Sequence, residues 1–119
     1  MLVFDTTSSQ HRPRLDTGKK DLDRLQTLVG GNIELLPHRQ GYEAPWTAYA
    51  NEEGMNEGLP SNFLAWGVLR HLGFVDSSMG LCFYFGNVVL LGRGGGALTA
   101  KQIEKVETAR KAYLKEMGE

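Results

Sequence analysis

Leu81-Cys82-Phe83-Tyr84-Phe85-Gly86-Asn87-Val88-Val89-Leu90-Leu91 is the most strand-like stretch of this chain. Valine, leucine and aromatic residues dominate it, and these fit a pleated, packed surface. Polar residues hardly alternate with apolar ones, so both faces are expected to be buried, as in a central strand. Gly86-Asn87 leaves two readings open: one long strand bent at Gly86, or a hairpin with Gly86-Asn87 as its two-residue turn. The stretch is far shorter than the roughly 20 apolar residues that span a bilayer.

Downstream, Gly92 to Gly96 is a glycine-rich loop. Thr99 then opens the last helix, with Gln102 three residues on completing a capping box. Ile103, Val106, Ala109, Tyr113 and Met117 form its inner stripe, and Lys101, Glu104, Lys105, Glu107, Arg110, Lys111, Lys115 and Glu116 its solvated face. Upstream, a helix is expected from about Asn62 to Leu72. Leu64, Val68, Leu69 and Leu72 are its apolar face, widened by Trp66, and Gly73 stops it. Trp46 to Asn51 alternates as a strand, with Trp46, Ala48 and Ala50 on one face and Thr47, Tyr49 and Asn51 on the other. Before it come a polar loop, His38 to Pro45, and a strand from Asn32 to Leu36 stopped by Pro37. Asp21 to Val29 is a helix with Leu22, Leu25, Leu28 and Val29 on one face, capped by Gly30-Gly31. Leu2 to Thr6 is the first strand and Thr7 to Ser9 a polar turn. Gln10 to Leu15 is an irregular strand that Pro13 confines to an edge. The order β-β-α-β-β-α-β-α predicts an α+β fold: a small mixed or antiparallel sheet of about four to five strands with two to three helices, packed on one face.

The 119 residues suit a single domain spanning 1–119. A net charge of -1 carries no basic excess, so DNA and anionic membranes are unexpected partners. Cys82 is the single cysteine and is expected to be a buried, inert thiol. The start, MLVFDTTSSQ, lacks the basic and apolar regions of a signal peptide, which points to the cytoplasm. His11, His38 and His71 lie in different elements without a second ligand at metal-binding spacing, so neither a metal site nor a cofactor is expected. No G-x-S-x-G elbow occurs, and no catalytic set can be assembled from spacing.

Several segments together resemble a known pattern. Leu25-Gln26-Thr27-Leu28-Val29-Gly30-Gly31-Asn32-Ile33-Glu34-Leu35-Leu36-Pro37 is followed by Tyr49-Ala50-Asn51-Glu52-Glu53-Gly54, then Gly58-Leu59-Pro60-Ser61-Asn62, Gly86 to Gly92, and Leu98-Thr99. This is similar to a family of small uncharacterised domains of bacteriophages and bacterial mobile elements. Its pattern runs L-Q-x-L-V-G-G-x-I-E-x-V-P, N-E-E-G, L-P-x-N, G-D-V-V and a C-terminal helix. The resemblance covers roughly residues 20 to 106 and departs from the pattern at Glu43 to Trp46 and Phe83 to Phe85. It implies a small phage-type protein acting on a host pathway, in the host cytoplasm, with no activity to carry over.

Among candidate sites, Glu52-Glu53 cannot converge as an acid pair, because neighbours on a strand face opposite ways. Asn51, Glu52, Glu53, Gly54, Pro60 and Asn62 are expected to form a structural lock. In it Asn62 caps a helix, and Glu52 accepts N–H groups from the Met55 to Leu59 loop. The leading ligand site is the loop Arg93, Gly94, Gly95 and Gly96 with Thr99, where a bent glycine backbone, a helix N-terminus and an arginine fork suit an anion. It is neither a Walker A loop nor G-x-G-x-x-G. Trp46, Tyr49, Trp66, Phe83, Tyr84 and Phe85 are many aromatics for a small chain, and most are expected in the core. Any on the surface, with Trp46 and Tyr49 as the ligand-site candidates, could stack a base or mark a protomer interface. The expected protein is non-enzymatic and homo-oligomeric. It binds a phosphate-bearing small molecule, in the concrete version a host nucleotide signal, and sequesters it. The rival readings are a protein–protein module acting on a host protein and, third, a small phosphohydrolase.

Overall fold

The computed structural model describes residues 1–6, 11–76 and 84–118. Along the chain run β1 (Leu2–Phe4), β2 (Arg14–Leu15), α1 (Leu22–Val29), β3 (Ile33–Leu35), β4 (Trp46–Asn51), α2 (Phe63–His71), β5 (Val88–Gly92), a 3-10 turn (Arg93–Gly95) and α3 (Ala100–Glu116). The strands form one sheet in the order β2-β1-β5-β4-β3, and every neighbouring pair is antiparallel. The fold is α+β, in the element order read from the sequence, and the proline-limited β2 is an edge strand.

β5 is the centre of the sheet and every residue in it is buried. Val88 pairs with Phe4 of β1, and Val89 with both Val3 of β1 and Tyr49 of β4. The hairpin alternative fails, because Phe85 bridges Ser61 instead of returning onto β5. Asn62 N–H donates to Tyr84 C=O at 2.7 Å and Gly86 N–H to Pro60 C=O at 2.8 Å. Gly86, with φ of 82°, makes the bend between these two sets of pairings. Leu81, Cys82 and Phe83 lie outside the described residues, as do the polar turn at Thr7 to Ser9 and Gln10.

Helices cover both faces of the sheet, not one. Leu2, Phe4, Trp46, Ala48, Ala50, Val88 and Leu90 face Ala65, Val68 and Leu69 of α2 and Val106 and Ala109 of α3. Met1, Val3, Val89 and Leu91 face Leu25, Leu28 and Val29 of α1. The reason is visible in β1 and β5: both pleat faces are apolar, and one helix layer can dry only one of them.

Three helix positions differ from their periodicity. Leu22 is 55% exposed and Met117 is 61% exposed, Leu22 at the first position of α1 and Met117 just past the end of α3. Arg110 is buried rather than solvated. Its guanidinium is paired with Glu107 one turn earlier and reaches His11 C=O at 3.5 Å, so the charge goes inside with partners. That pairing lowers the Glu107 pKa, and it raises that of Arg110. α2 and α3 pack closely where Gly67 meets the Tyr113 ring; an added Cβ there would lie 2.2 Å from it.

Candidate functional site

The glycine loop is a folded turn rather than a slack connector. Gly92 N–H donates to Gly96 C=O at 2.8 Å and Gly96 N–H to Arg93 C=O at 3.1 Å. Gly95 N–H donates to Thr47 Oγ1 at 3.0 Å, and that hydroxyl donates to Gly92 C=O at 2.8 Å. Gly94 and Gly95 hold φ of 64° and 80°, which favours glycine. The N–H groups of Gly95 and Gly96 are thus turned into the loop and onto β4 instead of converging outward on one point. Thr99 and Gln102 complete the capping box, and Gln102 Nε2 also donates to Pro45 C=O at 2.9 Å. This ties the α3 N-terminus to the base of β4. Arg93 remains exposed.

Beside this turn lies a cleft of about 320 Å³. Trp46, Thr47 and Tyr49 of β4 line it with Leu35, His38, Phe74 and Gly94. β3 ends at Leu35, so the first residues of β4 lack a strand partner on that side, which leaves the opening. Residues 38–45 form one wall. Arg39 Nε donates to Gly73 C=O at 2.8 Å, its guanidinium lies 4.6 Å from the Tyr42 ring centre, and His38 meets Tyr42 and Phe74 edge-on. His38 Nδ1 is 3.0 Å from Arg39 C=O, and a carbonyl only accepts. The Nδ1 therefore carries the proton, which in the neutral ring leaves Nε2 as an acceptor. Trp46 is 5% exposed and shapes the cleft from within. Tyr49 is half-buried and offers more of its ring.

Of the ligand residues read from the sequence, the structure brings Trp46, Tyr49 and Gly94 to this cleft. Arg93 adjoins it through the chain. Gly95, Gly96 and Thr99 hold the turn and the helix start. His38 and Leu35 were missed, because nothing in a polar loop and a strand end signals that they line one cleft with β4 and Gly94.

The N-E-E-G and L-P-x-N segments cross-link the fold. Asn51 Oδ1 accepts Glu53 N–H at 2.8 Å while its Nδ2 donates to Val29 C=O at 3.3 Å. Gly54 packs against the Phe85 backbone, where an added Cβ would sit 2.7 Å from the carbonyl oxygen. Asn62 accepts Ala65 N–H at 3.1 Å and donates to Phe4 C=O at 2.8 Å and Gly86 C=O at 2.9 Å. The carboxylate that takes a hydrogen bond here belongs to Glu53, from Asn56 Nδ2 at 2.8 Å. Glu52 instead lines a cleft with Glu34 and Met55, and the loop N–H groups of Glu57, Gly58 and Leu59 donate to the backbone carbonyls of Glu53, Met55 and Gly54. Among the described residues no three histidine, cysteine, aspartate or glutamate side chains gather as a metal-holding group. No helix among them is long and apolar enough to cross a membrane.

A two-faced antiparallel sheet with a cleft at the open end of its β3–β4 pair defines a small α+β domain. The chain belongs to the family described as Domain of unknown function (DUF3846), which matches residues 1–111. No curated protein and no solved structure matches it.

Proposed function

We propose that this protein is a non-enzymatic, phage-type binding protein that takes a phosphate-bearing small molecule in the cleft between β4 and the glycine turn. In this reading it sequesters a host nucleotide signal in the host cytoplasm. The observation that carries it is the meeting of Tyr49, His38 and Gly94 around one opening of about 320 Å³, with Arg93 one residue from its rim. A planar base fits against Tyr49, and aromatic stacking is worth roughly 1–3 kcal/mol per base. The exposed Arg93 fork then takes phosphate oxygens. The anion contact rests on Arg93, since the N–H groups of Gly95 and Gly96 are engaged inside the turn.

The test is thermal melting against a panel of nucleotides and cyclic dinucleotides. A ligand at about 100 times its Kd stabilises the folded state by roughly 2.7 kcal/mol. Tyr49→Ala and Arg93→Ala should each remove most of the shift, and Arg93→Ala should leave the unliganded melting point nearly unchanged. A panel without any shift, or variants that bind like the parent, would move a protein–protein role into first place.

A further inference from the structure

Among the described residues, no strand pairs with the outer side of β3. In an antiparallel ladder, alternate residues turn their backbone groups toward each neighbour. Glu52 N–H donates to Asn32 C=O at 2.8 Å and Leu36 N–H to Ala48 C=O at 2.8 Å, so Asn32 and Leu36 face β4. Glu34, opposite Ala50, does the same. Ile33 and Leu35 therefore direct N–H and C=O outward, at the end of the sheet where no described strand pairs with them. Proteins usually blunt such an edge by shortness, charge, proline or a covering element. This one is short and carries Glu34, yet Leu35 is 63% exposed on it.

The side chains around the edge have a definite character. Ile33 and Leu35 lie on the α1 face of the sheet, opposite Asn51 and Tyr49. On the other face Glu34 and Glu52 line a cleft of about 200 Å³ with Leu36, Met55 and Phe85. Met55 is 68% exposed at this cleft. The edge thus presents two outward backbone sites, an apolar face and an acidic face.

We propose that the β3 edge accepts an extended segment of a partner protein, added as a further antiparallel strand, whose residues alternate apolar and basic. Its backbone bonds to Ile33 and Leu35, and its apolar side chains lie beside theirs. Glu34 then occupies a non-hydrogen-bonded position, where opposing side chains come closest, and a lysine or arginine there meets Glu34 and Glu52. This mode draws affinity from the main chain and specificity from alternate side chains. A second copy of this chain is the poorer occupant. The register that uses both outward sites pairs Ile33 with Leu35 of the other copy and sets Glu34 against its own equivalent, a like-charge clash.

Two short capped peptides test this, one alternating lysine with valine and one alternating glutamate with valine, read by calorimetry and by amide hydrogen exchange. The lysine peptide should bind and slow exchange at the Ile33 and Leu35 amides, and the glutamate peptide should bind about tenfold more weakly or not at all. Glu34→Lys, an exposed change, should reverse that preference. Leu35→Pro, which deletes an outward N–H, should abolish binding while circular dichroism stays unchanged. Failure of the lysine peptide to bind, protection at other amides, or a preference indifferent to Glu34→Lys overturns the proposal. Protection of these amides that grows with protein concentration alone also overturns it, in favour of a second copy. The nucleotide cleft is tested separately through Arg93 and Tyr49, so the two proposals fail independently.

Discussion

Single residues in this protein carry more than their sequence roles suggest. As a helix cap alone, Asn62→Ala would cost about 1 kcal/mol. It also donates to the carbonyls of Phe4 and Gly86 while only 3% exposed, so its loss removes two further buried hydrogen bonds. We expect a destabilisation of about 3 kcal/mol by urea unfolding; a value near 1 would show that water replaces the amide. Asp16 is the charged counterpart. The Arg24 guanidinium, with Gly18 N–H at 2.9 Å, holds its buried carboxylate below the ordinary aspartate range. A folded pKa lower than the unfolded one means that the unfolded chain takes up the proton first. The stabilisation is therefore complete at neutral pH and fades as the pH falls below about 4. Asp16→Asn should lower stability at pH 7 but converge on the parent in acid, as followed by melting across pH. Parallel pH profiles would remove Asp16 from the account. Both asparagine and aspartate were legible as residue types, but their partners lie in other elements.

Among the elements, α2 and α3 are the pair whose fit is most exacting. The sequence marks both helices through periodicity and caps, and α3 opens at Thr99 with the expected capping box. It does not mark Gly67 as a contact, because a glycine inside a helix reads only as a propensity loss of about 1 kcal/mol. With the Tyr113 ring 2.2 Å from where a Cβ would stand, Gly67→Ala gains propensity and loses packing. Overpacking costs roughly 1–3 kcal/mol, so we expect net destabilisation of about 1 to 2 kcal/mol by denaturant melting. A stabilised variant would show that Tyr113 can move aside freely. β4 shows the same division of information. Its faces were readable from alternation, whereas the cleft at its start depends on where β3 stops and how residues 38–45 fold back onto Gly73.

On the scale of the whole molecule, two of the large apolar side chains left exposed among the described residues meet at one end. Phe63 is 60% exposed and Met117 is 61% exposed, and both line a cleft of about 250 Å³ with Leu64 and Leu114. Contiguous exposed apolar surface marks interfaces, and small homo-oligomers are mostly two-fold symmetric. We expect a dimer through this end, made monomeric by Met117→Lys, as measured by light scattering. A parent mass of 13.2 kDa at micromolar concentration would leave the patch without that role. This surface was invisible in the sequence, because periodicity assigns Met117 to the inner stripe of α3 and cannot say that this last position lies outside the core.

By itself, the sequence determined the kinds of element, their order and the α+β class, since these follow from local chemistry: alternation, helical spacing, caps and glycine or proline stops. It also showed that the central strand must be buried on both faces. Only the tertiary structure decided that α1 covers one face while α2 and α3 cover the other, that the 84–86 segment pairs with 60–62, and that Tyr49, His38 and Gly94 share a cleft. Those facts depend on contacts between residues far apart in the chain, and local periodicity carries no information about which distant segment answers a given apolar face or open backbone edge.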